Sequence, residues 1–190
     1  NVKGLFSINN GQAIETIKKD FAEIGYNVDY QLFHVADFGV PQSRERVIIV
    51  GTSKEKGLPD FEFPKKMRSK NNWVTLGSVL SDLERIGEGD APNHFWSKAK
   101  MFEGTQGNTT VQKDKIGPTM RSEHHGNIEW HWNGKRRLSA REAARIQTFP
   151  DNFVFYPSTS SAYKQIGNAV PPVFGWYLAK AIEKFLQKYL

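Results

Sequence analysis

Gln42, Arg44 and Arg46 stand two residues apart in the string Pro41-Gln42-Ser43-Arg44-Glu45-Arg46. In an extended chain such residues leave one face at intervals of about 6.6 Å. An amide and two guanidiniums aligned in this way form a donor surface suited to a phosphate, or to an oxygen on which negative charge develops. A solvated strand edge carrying charges has the same pattern. A second constellation, Arg137, Arg141, Glu142 and Arg145, lies in Arg137-Leu138-Ser139-Ala140-Arg141-Glu142-Ala143-Ala144-Arg145-Ile146-Gln147-Thr148-Phe149-Pro150. Arg141 and Arg145 are four apart and share a helix face, and Glu142 near the helix start suits the macrodipole. This arrangement positions other groups better than it performs chemistry. A third string, Gly167-Asn168-Ala169-Val170-Pro171-Pro172, places two prolines where a first helical turn tolerates them, after an asparagine able to cap.

The elements that must carry these residues follow from hydrophobic period. Ile14, Ile17, Phe21 and Ile24 form the stripe of an amphipathic helix over about Gly11 to Ile24, closed by Gly25 at a C′ position. Tyr26 to Ala36 alternates as a strand. Arg46 to Gly51 is a continuous apolar run with β-branched residues, the pattern of a strand buried on both faces. Asp37-Phe38-Gly39-Val40-Pro41 links the two as a loop. Lysines, prolines and Gly57 break all periodicity between 52 and about 72, where a boundary is expected. Asn72 to Lys135 has no clean period and is expected to be irregular and loop-rich. Ser139 and Glu142 have capping-box spacing, so a helix of about two and a half turns should start at Ala140 and end before Pro150. Val173 to Leu190, with Phe174, Tyr177, Leu178, Ala181, Ile182, Phe185 and Leu186, should be an amphipathic terminal helix.

The chain has 190 residues, enough for one sizeable core or two small ones. Its net charge of +6 favours a polyanionic partner. Five tryptophans and 13 phenylalanines mark a folded protein rather than a basic tail. Without cysteine, disulfides and thiolate metal sites are excluded. His124, His125 and His131 match no zinc spacing, so no metal is expected. No signal peptide or membrane-spanning run is legible, which makes a soluble cytoplasmic protein the default expectation. The stretch around the histidines suits base reading better than metal: Arg121 can address guanine and Asn127 adenine in a major groove, with Thr119, His124 and His125 alongside. Surface polarity unrelated to nucleic acid is the competing account of each of these residues.

In order and spacing, the three strings, with Asn1-Val2 ahead of them, resemble the C-terminal half of the DNA (cytosine-5)-methyltransferases. Thr119-Met120 is similar to the Thr-aliphatic pair of that family's recognition domains. The resemblance implies an α/β fold: the C-terminal part of a Rossmann-like methyltransferase sheet, a loop-rich, mainly β target-recognition domain, and a terminal helix. Residues 1–52 would be the end of the catalytic domain, 53–160 the target-recognition domain, and 161–190 a returning segment that packs on the catalytic domain. The family has Glu-Asn-Val where this chain starts at Asn1, so a fragment or processed form is expected.

The implied activity is cytosine C5 methylation from S-adenosylmethionine on a base flipped out of duplex DNA, in a restriction-modification setting. Carbon 5 becomes nucleophilic only after addition at carbon 6, for which the family uses a cysteine thiolate. By resemblance Arg46 meets the cytosine O2, Gln42 and Arg44 organise the loop and nearby DNA backbone, Asn1 belongs to the catalytic Glu-Asn-Val block, and Asn168, Ala169 and Val170 lie near the cofactor. The 137–150 block supports the recognition domain. Partners would be double-stranded DNA and the N-terminal catalytic half, on the same or a separate chain, and the chain alone should be inactive. A non-catalytic DNA-binding module or regulatory subunit of the same architecture is the alternative.

Overall fold

The computed structural model describes residues 12–100, 109–122 and 128–189. Helix α1 (Gln12–Glu23) leads through Gly25, at φ +89°, into strand β1 (Tyr26–His34). A 3-10 turn over Val35–Phe38 and the segment 39–44 return the chain as β2 (Glu45–Ser53). β1 and β2 pair antiparallel from Tyr26 with Ser53 to His34 with Glu45, placing Phe33 opposite Arg46. The expected helix and both strands are present. The stripe of α1 is only half used: Ile14 is buried against Val47, with Ile17 beside it, while Phe21 and Ile24 are 41% and 68% exposed.

Two expectations change. Val47 and Thr52, on opposite faces, are the only fully buried residues of β2, and Ile48, Ile49 and Val50 between them are half-buried, so both faces are covered only in part. α1 lies against the Val47 face and an aromatic cluster against that of Ile48, but a two-stranded ladder among the described residues leaves the apolar run without the neighbouring strands that would close both faces. The region between 53 and 160 is not mainly β. Among its described residues are two short 3-10 turns, α2 (Leu76–Leu80), α3 (Ala140–Ile146) and isolated bridges such as Thr110 with Trp130.

Buried arginines do there what ladders do in a sheet, satisfying backbone carbonyls that loops leave open. Arg137 donates to the carbonyls of Ala99, Lys100 and Ile128. Arg141 donates to those of Pro92, Pro150 and Phe153. Arg145 forks onto Asp151 at 2.8 and 2.6 Å and reaches Asp82 at 2.6 Å, holding both carboxyls below their usual pKa range. The arginines of the 137–150 block are thus structural, in keeping with a positioning role.

The α3 capping box forms as expected: the Glu142 N–H donates to Ser139 Oγ at 3.0 Å, and Ser139 N–H to the Glu142 carboxylate at 2.7 Å. Glu142 is also forked by Arg136 at 2.7 and 2.8 Å. Two wholly buried histidines flank this cap. His94 Nδ1 lies 2.9 Å from Ser139 Oγ, and His131 Nε2 lies 3.6 Å from Glu142. Burial pushes both below their ordinary pKa of 6.5; Glu142 pulls the other way, but its charge is already matched by Arg136 and desolvation prevails. Unfolded histidines therefore take up protons near 6.5 while the folded ones do so only at lower pH. In that window the unfolded state binds more protons, so stability falls with decreasing pH. Thermal unfolding between about pH 7.5 and 5.5 should show a falling melting temperature that His131→Gln flattens. A parental melting temperature that stays level across that range would contradict the buried neutral pair.

The last elements are α4 (Thr159–Asn168), capped by Ser158, and α5 (Pro172–Tyr189). Ala162, Tyr163 and Ile166 of α4 join Leu76, Leu80, Met120, Leu138 and Ile146 in the largest core. Phe174 of α5 instead packs with Phe33, Phe38 and Val40 beneath the hairpin. No helix among the described residues is long and apolar enough to cross a membrane.

Candidate active site

The segment from Pro41 to Arg46 runs between the hairpin and the core of the 76–166 region, and its three donors divide. Ser43 N–H donates to the Gly117 carbonyl at 2.7 Å and Gly117 N–H to that of Pro41 at 2.9 Å, fastening segment 117–120 alongside. Gln42, fully buried, accepts from Met120 N–H at 3.1 Å and donates to Gln147 Oε1 at 2.5 Å and to the Ile146 carbonyl at 3.2 Å. Arg44, 6% exposed, donates to the carbonyls of Met120 at 2.8 Å and Gly167 at 3.2 Å. Gln42 and Arg44 therefore spend their donors inside the protein, where no DNA phosphate reaches them. Arg46 is the exception. Half-buried on β2, its guanidinium donates only to the adjacent Glu45 carbonyl, at 2.6 Å, among the described contacts.

The electrostatics agree with this division. Burial among carbonyls, with the Arg46 charge second, pushes the Arg44 pKa down to about 10. Burial also lowers that of Arg46. Two guanidiniums that repel one another in a partly buried setting favour an incoming oxygen acceptor.

The α4 to α5 junction carries the third string. Gly167 and Asn168 end α4, Ala169 is its C-cap, and Pro172 begins α5. Asn168 thus closes one helix instead of capping the next. Asn168 and Val170 are exposed, Val170 by 60%, while Gln147 donates to the carbonyls of Ile166 at 2.6 Å and Ala169 at 3.2 Å and so holds the turn. Gly167 lies against segment 120–122 so closely that a Cβ on it would stand 2.1 Å from the Arg121 carbonyl carbon and 2.3 Å from Ser122 N.

Of the expected DNA-facing residues, Arg121 is exposed and Thr119 half-buried, its hydroxyl donating to the Ser43 carbonyl. Both flank the gripped Met120, Thr119 against Ser43 and the Arg121 backbone against Gly167. His124, His125, Asn127 and Asn1 lie outside the described residues. Among the described residues no group of three His, Asp or Glu is placed to hold a metal ion. Sequence reasoning missed Gln147, Gly167, His94 and His131. A glutamine directly after a capped helix was a readable signal for the first, since it falls at the C-cap.

The family model for C-5 cytosine-specific DNA methylase matches residues 1–115 and 93–184. Type II methyltransferase M.FnuDI of Fusobacterium nucleatum is 35% identical over 218 residues, spanning 98% of this chain and 63% of that protein. Type II methyltransferase M.MthTI of Methanothermobacter thermautotrophicus is 33% identical over 226 residues, spanning 100% of this chain and 66% of that protein. The chain thus spans about two thirds of the length of these relatives or somewhat less. A solved DNMT2 variant of Spodoptera frugiperda superposes with a TM-score of 0.65 at 16% identity, over 96% of this chain and 64% of that one, a likeness of fold. With a matching model over more than half its residues, the chain belongs to the C-5 cytosine-specific DNA methylase family.

Proposed function

We propose that this chain forms the DNA-selecting and cytosine-holding part of a DNA (cytosine-5)-methyltransferase, with a thiolate-bearing catalytic half completing it. The observation that carries this reading is the clasp in which Gln42 and Arg44 tie segment 117–120 to the strand that bears Arg46. That clasp keeps the groups expected to read DNA, Thr119 and Arg121, on the segment held against Gln42 and Arg44, which lead directly into the strand of Arg46.

In this mechanism a flipped cytosine presents its O2 to the Arg46 guanidinium. Addition of a thiolate at carbon 6 pushes electron density onto the ring, and the Arg46 hydrogen bond strengthens as that charge develops. The chain holds no cysteine, so the thiolate reaches the base from outside these 190 residues. S-adenosylmethionine supplies the methyl group when bound. The α4 to α5 junction fits one edge of its site: the exposed Asn168 amide suits a polar end and the Val170 side chain an apolar one, on a turn held by Gln147. It supplies no more than an edge.

Incubated with labelled S-adenosylmethionine and mixed-sequence duplex, the chain alone is expected to transfer no methyl group to cytosine, and to gain that activity when a polypeptide carrying a Gly-rich cofactor loop and a Pro-Cys nucleophile is supplied. The isolated chain should still bind duplex, with the log of its association constant falling linearly with the log of salt as phosphate contacts release counterions. Cytosine methylation by the chain alone, or binding that is absent at low salt, would sink the reading.

A further inference from the structure

Four hydrogen bonds through two fully buried side-chain amides connect Met120 to the C-terminal end of α4. Met120 N–H donates to Gln42 Oε1 at 3.1 Å, Gln42 Nε2 to Gln147 Oε1 at 2.5 Å, and Gln147 Nε2 to the carbonyls of Ile166 at 2.6 Å and Ala169 at 3.2 Å. Gln42 and Gln147 have no exposed surface. The donors all point one way along this relay. Turning the Gln42 amide over would set its NH2 against the Met120 N–H. Turning Gln147 over would set its oxygen against two carbonyls, so each amide has a single acceptable orientation. In a dry setting successive bonds polarise one another, and an acceptor abandoned by its donor finds no water to replace it.

Met120 is gripped twice, because its carbonyl is held by Arg44, which also reaches the Gly167 carbonyl. The N–H and the carbonyl of the one residue between Thr119 and Arg121 are thereby both connected to the same helix end. Packing alone does not require this, since an apolar side chain of similar size would fill position 147.

We propose that Gln147 is a positioning residue that works through Gln42 to register the recognition segment against the Ala169–Val170 turn, so that duplex engagement at Thr119 and Arg121 sets the geometry of the cofactor-side turn. This rests on the reading above, in which that segment faces DNA. When the segment moves toward a duplex, Gln42 follows its Met120 donor, Gln147 follows Gln42, and the turn they hold moves with them. A network with one allowed polarity transmits such a displacement where a loosely packed contact absorbs it.

Methyl and side-chain amide NMR on the isolated chain, titrated with duplex oligonucleotide, tests this directly. The Met120 methyl, the Gln147 side-chain amide and the Val170 methyls are expected to shift together in the parent. In Gln147→Met the Met120 shift should persist and the Val170 response should be lost; Gln42→Met, which cuts the relay at its other member, should do the same. A Val170 signal that moves equally in these variants overturns the coupling, and so does a parent in which Met120 responds while Gln147 or Val170 stays still. That parental measurement needs no variant to fold. If no signal moves in the parent, the DNA-facing reading itself falls and the coupling with it, an outcome separable from the first because Met120 is then silent as well.

Discussion

Arg46→Ala is expected to slow methyl transfer on bound DNA by about 10²- to 10³-fold in the complemented enzyme, the usual cost of removing one donor from a developing oxyanion. Duplex affinity should change far less. Arg46 is half-buried and, among the described contacts, makes one bond, to the Glu45 carbonyl, so truncation releases a single acceptor and leaves little packing void. Its contribution grows with the charge on the cytosine ring, and a contact stronger in the transition state than in the ground state lowers the rate of chemistry when lost. Arg121→Ala should behave in the opposite way, relaxing or weakening site recognition by about 1 to 3 kcal/mol with turnover on bound DNA largely intact. Single-turnover rates measured beside binding to cognate and non-cognate duplexes separate the two. Parental methylation by Arg46→Ala on saturating DNA would remove Arg46 from the chemistry.

Gly167→Ala should destabilise the chain, although helix propensity alone gives the opposite sign. Inside an exposed helix, replacing glycine by alanine stabilises by about 1 kcal/mol. Here the new methyl would sit 2.1 Å from the Arg121 carbonyl carbon and 2.2 Å from its oxygen, and these are backbone atoms that no rotamer change moves away. Overpacking of this kind costs about 3 kcal/mol at its upper range. The net loss of about 2 kcal/mol corresponds to a drop of about 4–8 °C in melting temperature for a chain of this size. A variant that melts at or above the parental temperature would mean that helix α4 and segment 120–122 do not approach as described.

Local signals were legible in the sequence and long-range ones were not. The Ser139 and Glu142 capping box needs residues three apart and forms as its spacing dictates. The α1 stripe and the two strands rest on periods of a few residues and are likewise found, as is the terminal helix. Period 2 put Gln42, Arg44 and Arg46 on one face, but says nothing about what that face meets. The partners of Gln42 and Arg44 are 76 to 123 residues away, at Met120, Ile146, Gln147 and Gly167. Helix α4 went unread because Thr159-Ser160-Ser161 is a poor helix start by propensity, and its stability comes from Ala162, Tyr163 and Ile166 entering the core. Residues 53–160 are mainly β only in what the resemblance implies; the missing period between Asn72 and Lys135 is itself the mark of a loop-rich region, and no local pattern shows that buried arginines bind its carbonyls.

The clasp around residues 117–120 holds main-chain atoms: the N–H and carbonyl of Gly117, and the N–H and carbonyl of Met120. A grip on the backbone is indifferent to which side chains flank it. Arg121 can therefore be exchanged for another residue, and the segments beyond it lengthened or replaced, without releasing the strand that carries Arg46. Gly117 is more constrained, since a Cβ there would lie 3.2 Å from a Leu76 methyl and 3.4 Å from the Pro41 carbonyl oxygen, and these neighbours would have to give way. On the proposed function, a scaffold of this kind accepts new reading residues as a socket accepts different tools, and target preference would diversify, in evolution or by grafting, while the reacting geometry is inherited unchanged.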